Sequence, residues 1–87
     1  MHKEDVKEFA QYEVYELVNE LYHPLCVCNE YMIARGIAIL LAKADPEGDT
    51  YYVTGVNNPG DLVPGGGWYD AWHRDLKTGE LIKDSLS

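Results

Sequence analysis

Three residues come closest to a metal-ligand pattern in this chain: His23, Cys26 and Cys28, written H-x-x-C-x-C. A neutral imidazole and thiolates are good zinc ligands, and His73 is available as a fourth. Structural zinc sites, however, usually space their cysteines by two to four residues, not one. A histidine at a helix terminus followed by small apolar core cysteines explains the same letters. A disulfide across so short a loop would be strained, so two reduced thiols are expected. The alternative chemistry is nucleophilic: His73 beside Cys26 or Cys28 could deprotonate a thiol.

Asp70, His73 and Asp75 form a second cluster. A carboxylate next to an imidazole orients it and raises its basicity, as a general base requires. On an extended strand His73 and Asp75 share a face while Asp70 points the other way, so the three do not make one site by spacing alone. Pro64-Gly65-Gly66-Gly67 could bring backbone N–H groups against an anion. Yet no Lys-Ser/Thr follows, and the nearest cations are Lys43 and Arg74. It is neither a P-loop nor a dinucleotide fingerprint.

Aromatic side chains are abundant: seven Tyr, two Trp and one Phe. A core this small cannot bury all of them. Trp68, Asp70 and Trp72 share a face if residues 68–75 are extended, and Trp68 and Trp72 flank the glycine-rich stretch. Tyrosine and tryptophan are rigid amphipathic anchors of protein interfaces. Glu13, Glu16 and Glu20 follow i, i+3, i+7, which on a helix makes a carboxylate stripe with Tyr12 and Tyr15 beside it.

The elements that must position these groups follow from periodicity. Val6, Phe9, Ala10, Val14, Leu17, Val18 and Leu21 recur at steps of three and four, so residues 4–22 are expected as an amphipathic helix, ended by Pro24. Leu25-Cys26-Val27-Cys28 reads as a short extended piece. Residues 31–43 are almost wholly apolar, and periodicity does not separate helix from strand there. The alanines and a capping Asn29 favour a helix. Gly36, the isoleucines and the turn at Asp45-Pro46-Glu47-Gly48-Asp49 favour a strand over 36–43, hairpinned with the strand 50–56, and that pairing is preferred. Residues 57–67 read as a loop. Trp68–Asp75 is extended, Lys77-Thr78-Gly79 turns the chain back into Glu80-Leu81-Ile82, and residues 83–87 are expected to fray. The fold class is α+β: one N-terminal amphipathic helix on a small antiparallel sheet of three to five strands built from hairpins.

Length allows a single small acidic domain, residues 1–87. The formal net charge is −8. Residues 1–34 hold two cations against seven acids, and residues 44–70 hold five acids and no Lys or Arg. Such a field attracts basic surfaces and repels phosphate backbones, which argues against direct nucleic-acid binding. No apolar run reaches the ~18 residues of a membrane span. The opening Met1-His2-Lys3-Glu4-Asp5 has no signal-peptide core, so a cytoplasmic location is expected.

No motif is specific enough to name a reaction. The expectation is a non-enzymatic binding module or inhibitor, docking on a basic and nucleic-acid-binding kind of protein surface. Its contacts would be Glu13, Glu16, Glu20, Tyr12, Tyr15, Trp68, Asp70 and Trp72, with no cofactor. The alternatives are a small metal or thiol enzyme using His23, Cys26, Cys28 and His73, and a structural homo-oligomer joined through a sheet edge or the helix.

Overall fold

The computed structural model describes residues 9–56 and 69–86. Strands β1 (Gln11–Val18) and β2 (Leu21–Cys28) come first, followed by helix α1 (Tyr31–Ala44) and strands β3 (Tyr51–Val56), β4 (Tyr69–Arg74) and β5 (Leu81–Leu86). The five strands form one sheet in the order β2-β1-β3-β4-β5, every pair antiparallel. The α+β class and the antiparallel sheet agree with expectation. The position of the helix does not.

Residues 11–22, expected in the helix, instead form β1, a hairpin turn and the start of β2, and residues 25–28 are extended as expected. Residues 4–8 of the expected helix lie outside the described residues. Two periodicities compete in QYEVYELV. The three-and-four spacing of apolar residues is present, but Tyr12, Val14, Glu16 and Val18 also alternate with Gln11, Glu13, Tyr15 and Leu17. Both strand faces carry aromatics, so the polar–apolar alternation that usually marks a strand is blurred. The aromatic and β-branched content of this stretch then favours the pleated surface. Asn19 and Glu20 close the hairpin with φ of 53° and 66°, the left-handed pair that a two-residue turn between twisted strands requires. Pro24 does not end a helix. It lies in the outer strand β2, where the register slips: Val14 faces Cys26, Tyr15 faces Pro24, and Leu25 is the extra residue.

The apolar stretch preferred as a strand over 36–43 is the helix. Glu30, not Asn29, is its N-cap residue, and no side chain caps it. Its C-terminus is closed by Asp45, whose N–H donates to the Leu41 carbonyl. Asp45 then organises the turn that follows. Its Oδ1 accepts from the Glu47 N–H at 2.7 Å and its Oδ2 from the Tyr51 hydroxyl at 2.5 Å. Its carbonyl accepts from Arg74 Nη2 at 2.6 Å.

Alanines decide how the helix sits. Ala34, Ala38 and Ala42 are fully buried against Tyr12, Val14, Tyr51, Val53 and Trp72 of the sheet. With methyl groups at the centre of the contact and Tyr31, Ile37, Ile39 and Leu41 partly buried around it, the fully buried volume comes largely from the sheet side. Gly55 extends that surface, because the Phe9 ring occupies the space where a Cβ would stand. The β4–β5 hairpin turns where expected: Asp75 Oδ1 accepts the N–H groups of Lys77 and Thr78, and Gly79 has φ of 79°. Residues 83–86, expected to fray, continue β5 opposite β4. The loop read over 57–67 lies outside the described residues.

Candidate partner-binding face

Strand register fixes which side chains share a face, because alternate residues point the same way. The face opposite α1 carries Glu13, Tyr15 and Leu17 from β1 and Tyr22, Pro24 and Val27 from β2. Tyr52 and Thr54 of β3, Tyr69, Ala71 and His73 of β4, and Ile82 and Asp84 of β5 continue it.

Four tyrosines cross that face as a ladder. Tyr22 and Tyr15 lie 5.2 Å apart, centroid to centroid. Tyr15 and Tyr52, direct partners across β1 and β3, stack at 4.8 Å with their planes 8° apart. Tyr52 meets Tyr69 edge-on at 5.1 Å. Stacked and edge-on contacts are geometries that aromatic quadrupoles favour, so neighbouring rings hold one another in place. Thr54 and Ala71, both small and buried, lie among the larger rings of this face.

The charges on this face are anionic. The Tyr22 hydroxyl donates to Glu13 Oε1. His73 Nδ1 stands 3.9 Å from Asp84 Oδ2. Among the described strand positions on this side there is no Lys or Arg; Arg74 and Lys83 alternate to the helix side. Burial pushes the Glu13 carboxyl up from its ordinary value. The Tyr15 phenol is pushed up to about 12, first by burial and then by Tyr52, Tyr69 and Glu13.

A second anionic group lies at one end of the sheet. Burial first, then Asp45, Glu16 and Glu47, raise the Asp49 carboxyl. Burial, the bond to Asp45, and the Glu16 and Asp49 charges raise the Tyr51 phenol. Asp49 therefore lies in the combined field of Asp45, Glu16 and Glu47. Glu16 pairs with His23 at 3.1 Å. His73–Asp84 is a second pair between described residues, and both pairs use histidine.

Placement of the expected contact residues is mixed. Glu13 and Tyr15 lie on the ladder face. Glu16, three residues from Glu13 and so half a strand period out of phase, points to the other side, and Glu20 sits in the hairpin turn. The helical stripe of Glu13, Glu16 and Glu20 thus does not exist, because its i, i+3, i+7 logic belongs to a helix and the chain is pleated there. Tyr12 is core, edge-on to Phe9 and Tyr31. Trp72, 2% exposed, is core beneath the helix, with Lys83 Nζ 5.8 Å over its ring. Asp70, 8% exposed, accepts from the Tyr31 hydroxyl at 2.5 Å. These three are structural, not surface contacts. Trp68 lies outside the described residues. Tyr22, Tyr52 and Tyr69, not among the expected contacts, share the face of Tyr15, and the signal is in the alternation, since pairing Tyr15 with Tyr52 aligns all four.

The His23, Cys26, Cys28 and His73 set does not converge. Cys26 and Cys28 lie on the helix side of β2. His73 projects from the opposite face of β4, three strand spacings away, or roughly 14 Å. No cluster of three or more potential ligands occurs among the described residues. Burial, the neighbouring Cys28 and Glu13 all push the Cys26 thiol up, the reverse of what a thiolate nucleophile needs. Asp70 and His73 likewise sit on opposite faces. Among the described residues no helix is long and apolar enough to cross a membrane. Comparison with known protein families, with curated proteins and with solved structures finds no match.

Proposed function

We propose that this chain is a non-enzymatic protein-binding module, docking the ladder face onto a basic surface of a partner protein. The observation that carries it is the Tyr22–Tyr15–Tyr52–Tyr69 row on a sheet face with Glu13 and Asp84 but no described Lys or Arg. Arginine and lysine stems lie flat on tyrosine rings, and their charged heads meet carboxylates at the ring edges. Preformed stacking lowers the entropy lost on binding. A sheet of exposed aromatics is also a stacking platform for nucleic-acid bases, but that use requires cations for the phosphates. The charges here are of the wrong sign. A module of this kind occludes a nucleic-acid-binding surface by occupying it. Its site of action is the cytoplasm, where both free thiols stay reduced.

The test is titration of the chain with three probes of equal length: an Arg/Lys-rich peptide, an acidic peptide and single-stranded RNA. Binding is read by shifts of the tyrosine NMR resonances. The basic peptide binds, with affinity falling as salt rises. Tyr52→Ala and Glu13→Lys each weaken it by about tenfold, equivalent to about 1.4 kcal/mol. Equal binding of the acidic peptide, tighter binding of RNA, or indifference to both substitutions refutes the proposal.

A further inference from the structure

The helix seats three alanines on the sheet, with Tyr31, Ile37, Ile39 and Leu41 partly buried beside them, and turns other large residues outward. Ala34, Ala38 and Ala42 are fully buried, while Met32, Ile33 and Leu40 are 64%, 52% and 68% exposed. At 100° per residue, Asn29, Met32, Gly36, Leu40 and Lys43 fall within about 40° of one line, with Ile33 and Ile39 flanking it. A Cβ at Gly36 would meet nothing within 4 Å, so the middle of this outer face is open. Residues 31–44 carry Arg35 and Lys43 and no acid, in a chain whose net charge is −8. Two such anionic molecules repel least where their helices meet.

We propose that the outer face of α1 pairs with a second copy of itself, antiparallel, about a twofold axis passing beside Gly36. The face is self-complementary in this arrangement. With Gly36 opposite Gly36 of the other copy, Ile33 meets Leu40 on one flank and Met32 meets Ile39 on the other. Lys43 of each copy reaches the Asn29–Glu30 end of the other, bringing cation to acid twice. The missing side chain at Gly36 lets the backbones approach closely where the helices cross. Antiparallel helix dipoles attract as well. A helix of 14 residues is about 21 Å long, so the interface is small and the dimer is a weak one. This surface is separate from the ladder face, on the other side of the sheet. Pairing therefore leaves both ladders exposed and makes the assembly bivalent.

Sedimentation equilibrium of the full chain, from low micromolar to millimolar, tests this. The expected result is a reversible monomer–dimer equilibrium. Gly36→Glu places two carboxylates at the axis and removes a helix-weakening glycine, so it keeps the fold, read by circular dichroism, and weakens the dimer at least about tenfold. Met32→Lys serves if that variant does not fold. Asn29→Asp gives each Lys43 a carboxylate to meet and tightens the dimer by about twofold to threefold. A monomer throughout, a larger open assembly, or a dimer unmoved by Gly36→Glu overturns the proposal. A dimer lost with Tyr52→Ala instead places association on the ladder face and overturns it equally. Neither result bears on peptide binding by the ladder, which is read on the monomer.

Discussion

Raising the pH above 10 should unfold this protein, and the ladder is one reason. Tyr15 is held up to about 12, by burial first and then by Tyr52, Tyr69 and Glu13. Burial also raises Tyr52, along with Tyr69 and Asp84. Tyr31 and Tyr51 are raised by burial and by hydrogen bonds to Asp70 and Asp45. A phenol whose folded value exceeds the unfolded 10 keeps its proton in the native state after the unfolded state has released it. Its stabilising effect is therefore complete below pH 10 and is lost as pH climbs through 10 toward 12 and beyond. For Tyr15 alone a two-unit shift corresponds to at most about 2.7 kcal/mol, and screening of a half-buried ring brings it to about 1 kcal/mol. Tyr31, Tyr51 and Tyr52 act in the same direction, against the ~5–10 kcal/mol an 87-residue domain commands. The assay is phenolate absorbance recorded with circular dichroism during an alkaline titration. Tyr15, Tyr31, Tyr51 and Tyr52 resist ionisation near pH 10, and their phenolates appear abruptly as the secondary structure is lost. These four phenols titrating near 10, with the sheet intact, would refute the reasoning.

Two further substitutions probe the packing. Gly55→Ala puts a Cβ 2.5 Å from Phe9 Cε2, and closer to other ring atoms, so it should cost about 1–3 kcal/mol in urea unfolding. The Phe9→Ala/Gly55→Ala double variant should cost less than the sum of the singles, since no ring is left to displace. Glu20→Gly removes a side chain from a residue at φ 66° and should gain about 0.5 kcal/mol, read as a raised thermal midpoint.

What the sequence made legible was local chemistry. The Asp45–Asp49 turn, the strand after it and the Lys77-Thr78-Gly79 hairpin are specified by residues within a few positions of one another, and all are found. What it concealed were choices settled by distant partners. Residues 11–18 fit a helix by spacing and become a strand because β2 and β3 pair on either side. Residues 31–44 become a helix because a sheet is there to accept three alanines. The candidate site shares that limit. Tyr15 and Glu13 were readable as surface groups, whereas Tyr22, Tyr52 and Tyr69 join them only through the register of four strands. Trp72 and Asp70 have interface chemistry in isolation and become interior once α1 closes over them.

Pro24 has a consequence for the chain in a crowded solution. β2 borders the sheet, and its outer rim lacks one amide hydrogen at Pro24 and is out of step at Leu25. An extended segment from a neighbouring molecule laid along that rim finds no continuous row of donors and acceptors to copy. Leu21, Leu25 and Val27 of this strand are exposed, and the break at Pro24 opposes templated strand addition beside them. The imino acid thus acts as a gatekeeper, letting a greasy border stay in contact with water without seeding polymerisation.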